Sequence, residues 1–274
     1  MYGSAVIYGI RSFGYKNRHI VLNHITLNSK NPSPKKAVII GASSGIGAAL
    51  AVEMSRKGYS LGLTARRLSM MEEELQPQLT TPAWFAHMDV SEIDNAVATL
   101  QDLVRKMGGV DLIIINAGVS GNSSGMEREA AEQLIKINVL GFAGMLHEAY
   151  RIFQKQGHGH IVGISSIASL LPHPNGSAYN ASKAFVSNYL DSIRLRIKRK
   201  EEHITVTDVL PGYVLTPMTE ENKRMFWVAS VEKAARQILR DIEKQKSVSY
   251  VSRRWRLIAW LLSIMPRGLL NKIL

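Results

Sequence analysis

From Lys35 onward the chain alternates between two hydrophobic rhythms. Short apolar runs at residues 37–40, 60–64, 83–87, 111–115, 160–165, 204–210 and 247–251 read as strands. Between them, apolar positions recur at helical spacing over residues 46–57, 69–76, 92–107, 129–155, 178–199 and 231–243. In the last helical segment Ser230 stands at the N-cap position, and Val231, Ala234, Ala235, Ile238 and Ile242 form one stripe. Regular alternation of strand and helix predicts an α/β fold: a doubly wound parallel sheet of about seven strands with helices on both faces, in one domain over residues 35–251.

Composition narrows the function classes. The 274 residues are 46% hydrophobic and 20% charged, which suits one large globular domain with a well-buried core. Zero cysteines exclude disulfides, thiolate chemistry and cysteine-bound zinc, and the eight histidines show no HExxH pairing, so no metal site is expected. The net charge of +12 sits at the ends. Residues 1–34 hold Arg11, Lys16, Arg18 and Lys30 without an acid, and residues 244–274 hold seven basic residues without an acid. The middle is nearly neutral, so the basicity does not mark a nucleic-acid-binding domain, and no nucleic-acid motif is present. Residues 1–34 end in Asn31-Pro32-Ser33-Pro34 and read as a poorly ordered basic extension or a stretch ahead of the true start, with a transit-type segment as the alternative.

Two motifs carry chemistry. Gly41-Ala42-Ser43-Ser44-Gly45-Ile46-Gly47 lies between the first strand and the first helix. Its glycines allow a tight turn and close backbone approach, and the helix N-terminus offers free N–H groups to a pyrophosphate. The second motif pairs Tyr179 with Lys183, four residues apart and hence on one helix face, with Ser166 thirteen residues before the tyrosine. A phenol with a pKa of about 10 is a poor acid or base at neutral pH. An ammonium at about 4 Å, at an effective dielectric of about 20, favours the phenolate by up to about 4 kcal/mol. Lys183 is therefore expected to draw the Tyr179 pKa down. The Ser166 hydroxyl can hydrogen-bond a carbonyl or alcohol that Tyr179 protonates or deprotonates.

With Asn116-Ala117-Gly118 after the strand 111–115, with Asn138 and with Pro211-Gly212, these motifs resemble the classical short-chain dehydrogenase/reductase family over roughly residues 35–251. The resemblance implies a Rossmann-like fold and an oxidoreductase that moves a hydride between nicotinamide C4 and a carbonyl or secondary alcohol carbon. It implies Asn138, Ser166, Tyr179 and Lys183 as the catalytic set. Tyr179 is the general acid/base, Ser166 holds the substrate oxygen, and Lys183 binds the nicotinamide ribose and tunes Tyr179. Asn138 holds a water that connects the lysine to bulk solvent, although a mid-helix asparagine also fits a solvent-facing position. Cofactor contacts are implied at Gly41, Ser43, Ser44, Gly45, Ile46 and Gly47, at Asp89 and Val90 beside the adenine, and at Asn116, Ala117, Gly118, Tyr179 and Lys183. Further contacts fall at Pro211, Gly212, Val214 and Thr216, the last against the carboxamide. Two positions depart from the pattern: Ile40 where many relatives have Thr, and Ile115 where the first Asn of NNAG is usual.

The cofactor reading turns on the end of the second strand, Leu63-Thr64-Ala65-Arg66-Arg67. NAD-preferring relatives carry an Asp where this chain has Ala65. A guanidinium takes a 2′-phosphate bidentately, and an Asp would repel it. NADP(H) is therefore expected, with Arg66 as the main contact, Arg67 second and Ser43 assisting; a solvated helix start is the alternative for both arginines. Two apolar segments are expected to shape the substrate site. Residues 167–174 contain Leu170, Leu171, Pro172 and His173, and residues 213–229 contain Met218, Met225, Phe226 and Trp227. They suit an apolar or lipid-like carbonyl or alcohol, the second segment either as a movable lid or as core packing.

The alternative function is an NADP-binding regulatory or scaffold protein without turnover. The long helices resemble those that pair in family dimers and tetramers, so a homodimer or homotetramer is expected. The tail 252–274 reads as basic and amphipathic, and its apolar run from Leu257 to Met265 is far short of the about 20 residues a spanning helix needs. Two readings stay open for it: a helix lying in a membrane interface, or a helix docked across the substrate cleft or a neighbouring subunit. The expected location is cytoplasmic, with peripheral membrane contact through the tail under the first reading.

Overall fold

The computed structural model describes residues 34–120, 127–174, 176–219 and 225–264. The expected extension lies outside them apart from Pro34, as do the charged run at 220–224 and the chain beyond 264. The elements follow in the order β1 (Lys36–Ile40), α1 (Gly45–Arg56), β2 (Ser60–Ala65), α2 (Leu68–Met70), β3 (Ala83–His87), α3 (Ile93–Met107) and β4 (Leu112–Ile115). After these come α4 (Arg128–Ile135), α5 (Phe142–Gln156), β5 (His158–Ile164), α6 (Ser177–Arg199), β6 (His203–Pro211), α7 (Val231–Glu243), β7 (Val248–Val251) and α8 (Trp255–Ile264).

All strand pairs are parallel, in the order β3-β2-β1-β4-β5-β6-β7. Consecutive residues of β1 explain why its sequence is apolar throughout. Ala37 and Ile39 pack with α1 and α7 on one face, Val38 and Ile40 with α3, α5 and α6 on the other, and all four are buried. The Ser230 hydroxyl accepts the Lys233 N–H at 3.3 Å and caps α7, an interaction of about 1 kcal/mol.

Two predicted helices are broken. The segment expected as one helix over 69–76 is α2, a π turn at Met71–Leu75 and a 3-10 turn at Gln76–Gln78, where Pro77 cannot donate to a continuing α-helix. The long helix expected over 129–155 is interrupted by a π turn at Lys136–Gly141 between α4 and α5. At its end Gly141 lies against β3's exit: a Cβ there would stand 2.7 Å from the Val90 carbonyl oxygen. The apolar residues of the two long helices mostly pack inward. Leu134, Ile137, Phe142, Met145, Leu146 and Tyr150, with Leu190 and Ile193, are buried in the core. Ile135, Leu140 and Phe185 remain exposed.

Candidate active site

The site forms where the strand order reverses, at the carboxyl ends of β1 and β4. Beyond Ile40 the chain turns through Gly41 at φ 93, and the N–H groups of Gly41 and Ala42 both donate to the Thr64 carbonyl, at 2.8 and 2.9 Å. The loop after β4 is tied to the same turn. Asn116 and Ala117 donate their N–H groups to the Ile40 carbonyl at 2.9 and 2.7 Å, and Asn116 Nδ2 donates to the Gly41 carbonyl at 2.6 Å. The glycines are required by closeness. A Cβ on Gly41 would lie 2.7 Å from the Ala117 backbone, and one on Gly47 would lie 2.1 Å from the Gly41 oxygen. The amides of the first turn of α1, which have no partner within the helix, open onto a cleft of about 240 Å³ walled by Ser44, Gly45 and Ile46.

At one end of this cleft lie Arg66, Arg67 and Asp89. Arg67 Nη2 donates to Ser44 Oγ at 3.0 Å and to Ser43 Oγ at 3.3 Å. The arginine seated on the serine turn is Arg67, and Arg66 lines the same end of the cleft. Asp89 accepts the Ser91 amide at 2.9 Å and the Ser91 hydroxyl at 2.7 Å. Burial works to raise its pKa, but these bonds and the charges of Arg66 and His87 hold the carboxyl below its ordinary range.

At the other end β5, the start of α6 and the end of β6 bring Ser166, Tyr179 and Lys183 together. Ser166 leaves β5 in an extended conformation and caps a 3-10 turn at Ile167–Leu170, its Oγ accepting the Ala168 N–H at 3.1 Å. Burial raises the Tyr179 pKa, and its hydrogen bond with the Ser166 hydroxyl works the other way. The expected fall in the tyrosine's pKa is therefore not found. Lys183 Nζ donates to the Ile164 carbonyl at 2.9 Å and stands 5.8 Å from the Tyr179 ring centre. The lysine is itself buried, which lowers its pKa to about 8 against the opposing charge of Asp208.

Asn138 sits in the π turn and is 1% exposed, which overturns a solvent-facing position. Its Oδ1 accepts the Val119 N–H at 2.9 Å, and its Nδ2 donates to the Val119 carbonyl at 2.8 Å and to Ser182 Oγ at 3.1 Å. It stands behind the wall rather than in it. A Cβ on Gly118 would lie 3.3 Å from Asn138 Oδ1 and 3.4 Å from Lys183 Nζ, so the absent side chain lets the two polar groups converge. Of the residues expected at the cofactor, Gly47 is likewise behind the lining, and all the others, Val90, Pro211, Gly212, Val214 and Thr216 included, line the cleft.

The sequence did not single out Met88, Val119 or Ser165, which also line the cleft. Ser165 donates to the buried Asp208 and to the Val209 carbonyl at 2.9 Å. An acid inside the apolar run 204–210 was the available signal. An aromatic rim adjoins the cleft behind Gly212, outside its lining. Tyr213, Phe226 and Trp227 make ring contacts with Trp255 of α8 at 5.8, 5.1 and 5.9 Å between centres. Gly212 leaves room for that indole, since a Cβ there would fall 1.9 Å from Trp255 Nε1. The tail helix therefore docks on the protein, against β7 and the turn after Ser166.

The family described as short chain dehydrogenase matches residues 35–226. An uncharacterized oxidoreductase of Myxococcus xanthus is 33% identical over 195 residues, which are 69% of this chain and 76% of the relative. Two solved structures share the fold. One is a short-chain dehydrogenase of Burkholderia cenocepacia in complex with NADP, at TM-score 0.75, 21% identity, and coverage of 88% of this chain and 98% of that one. The other is a short-chain dehydrogenase/reductase of Burkholderia phymatum in complex with NAD, at TM-score 0.75, 21% identity, and coverage of 83% and 92%.

Proposed function

Because the chain belongs to the short-chain dehydrogenase family, oxidoreductases of alcohol and carbonyl groups, we propose that it is an NADP(H)-dependent reductase of an apolar ketone or aldehyde, with Tyr179 as the general acid. The observation that carries the reading is the meeting of Ser166, Tyr179 and Lys183 at one end of a cleft whose other end holds Arg66 and Arg67. The cleft fits a dinucleotide: Gly41 and Gly47 let the turn pack closely on Ala117 and on α1, and Ser44, Gly45 and Ile46 at the N-terminus of α1 line the cleft, where a helix N-terminus suits a pyrophosphate. Arg66 and Arg67, with no acid at Ala65, suit a 2′-phosphate. Ser43 and Ser44 hold Arg67 in place for it.

A nicotinamide held in this cleft would supply a hydride to the carbonyl carbon. The chain's own residues handle the oxygen. Ser166 donates a hydrogen bond to it, and Tyr179 gives it the proton that completes the alcohol. Burial keeps the Tyr179 phenol protonated at neutral pH, which suits reduction. Lys183, still protonated below about 8, offsets the negative charge left on the tyrosine oxygen as the proton departs. Asn138 fixes Val119 and so the wall that faces Lys183. The rim of Met218, Phe226 and Trp227 favours an apolar substrate. The exposed Ile135, Leu140 and Phe185 support pairing of two or four copies through α4 and α6.

Tyr179→Phe tests the reading. It is expected to keep NADPH binding and thermal stability while losing at least about a hundredfold in turnover of a ketone panel. Activity within a few-fold of the unaltered chain would place the acid elsewhere, and tighter binding of NADH than NADPH would reverse the cofactor assignment.

A further inference from the structure

We propose that the outer face of α8, together with the segment from Phe226 to Val228, is a contact surface for an anionic lipid bilayer. The helix has two apolar faces. The inner one, Trp255 and Ala259, is docked and each residue is 5% exposed; the outer one presents Leu257 at 68% and Trp260 at 63%. Phe226 and Trp227, joined to the docked helix through the Trp255 ring, are exposed on their other sides. Loop and helix thus leave an apolar shelf open on either side of the buried Trp255 ring.

The charge around the shelf selects the occupant. Arg253, Arg254 and Arg256 are exposed at the start of α8, and Arg254 lies over the Trp227 ring at 6.0 Å. No acid occurs from Lys244 to the end of the chain. Tryptophans and leucines beside cations with no acid among them complement a bilayer surface bearing anionic headgroups, where arginine stems can lie along the apolar boundary. Among the described residues no helix is long and apolar enough to cross a membrane, so the contact is peripheral.

Position gives the contact a use. Met218, which lines the cleft, is half-exposed, and α8 packs on the turn that follows Ser166. A bilayer on this shelf would meet the mouth of the cleft, so an apolar carbonyl dissolved in lipid would reach Tyr179 without passing through water. The binding surface stands independently of the activity; only this delivery step rests on the proposed function.

The test is co-sedimentation of the full chain with phosphatidylcholine vesicles, with and without phosphatidylglycerol, at low and high salt. Binding is expected on the phosphatidylglycerol vesicles, weakening as salt screens the charges. Arg253→Glu/Arg256→Glu should reduce it at least about tenfold, since each arginine near an anionic surface is worth about fivefold. Leu257→Glu/Trp260→Glu should abolish it, with NADPH affinity and turnover of a small soluble ketone unchanged. If the glutamate pair does not fold, Trp260→Ser is expected to bind about tenfold more weakly. Absence of binding by the unaltered chain, or equal binding by folded variants, would overturn the proposal. So would a variant that splits an oligomer in light scattering, because the face would then belong to a second copy. Intact vesicle binding with no ketone turned over would count against the activity alone.

Discussion

From Ile40 to Gly47 and from Asn116 to Val119, one wall of the cleft is knitted by backbone and amide hydrogen bonds of 2.6 to 2.9 Å, several made to just two carbonyls, those of Ile40 and Gly41. By contrast, the rim at Phe226 and Trp227 meets itself and Trp255 of α8 through ring contacts at 5.1 to 5.9 Å between centres, and both side chains leave much of their apolar surface exposed. Directional bonds at short range admit one arrangement and no added atom. Ring contacts are weaker and admit several edge-to-face and offset geometries, so a rim built from them can change its side chains without moving the catalytic groups. The cofactor wall is therefore where the chain tolerates least, and the rim is where substrate choice can vary.

The sharpest way to break that contrast is Gly47→Ala. The added carbon would sit 2.1 Å from the Gly41 oxygen and push α1 away from the turn. Overpacking of this kind costs about 1–3 kcal/mol of stability. NADPH affinity should fall at least about tenfold, because the amides and Arg67 move with α1 and its turn. Titration of NADPH and a thermal melt check both, and an unchanged affinity would mean that the wall yields as readily as the rim.

A pH series probes the floor between the two walls. Lys183 falls from 10.5 to about 8 in the folded chain because its charged form is buried. The unfolded chain then binds more protons between those values, so the lysine's contribution to stability is unfavourable below about 8 and is relieved as pH rises toward 10.5. Ketone reduction should fall over the same rise, as the ammonium is lost. Lys183→Met should flatten the stability slope attributable to this residue and lower turnover at every pH. Stability and activity that moved together with pH would contradict the buried-ammonium account.

The smallest effect is expected at the rim. Phe226→Ala should leave NADPH affinity and turnover of a small ketone within about threefold, while raising KM for a bulky apolar ketone by about tenfold, in line with the loss of a few buried methylenes' worth of contact. Equal effects on both ketones would assign Phe226 to the structure of the cleft rather than to substrate choice.

Local patterns in the chain were enough to read much of this molecule. The alternation of apolar runs with helical stripes depends on neighbours within one or two turns, and the strands expected at 83–87 and the helix at 231–243 form over those same residues. Tyr179 and Lys183 share a face because four residues make about one turn, and the glycine turn announces itself between a strand and a helix. Other features depend on residues distant in sequence. The π turn that carries Asn138 inward ends at Gly141, which meets Val90, and nothing near Asn138 in the chain predicts that meeting. Asp208 faces Ser165 because β5 and β6 pair in a particular register. The direction of the Tyr179 pKa was set by burial, which outweighed the hydrogen bond with Ser166, while Lys183 turns to the Ile164 carbonyl. Which face of α8 is covered was likewise decided by the space above Gly212, into which Trp255 fits. Spacing along the chain specifies periodic structure and motifs because those interactions are local. Burial, register and the filling of a particular space are properties of surfaces that meet only when the chain is folded.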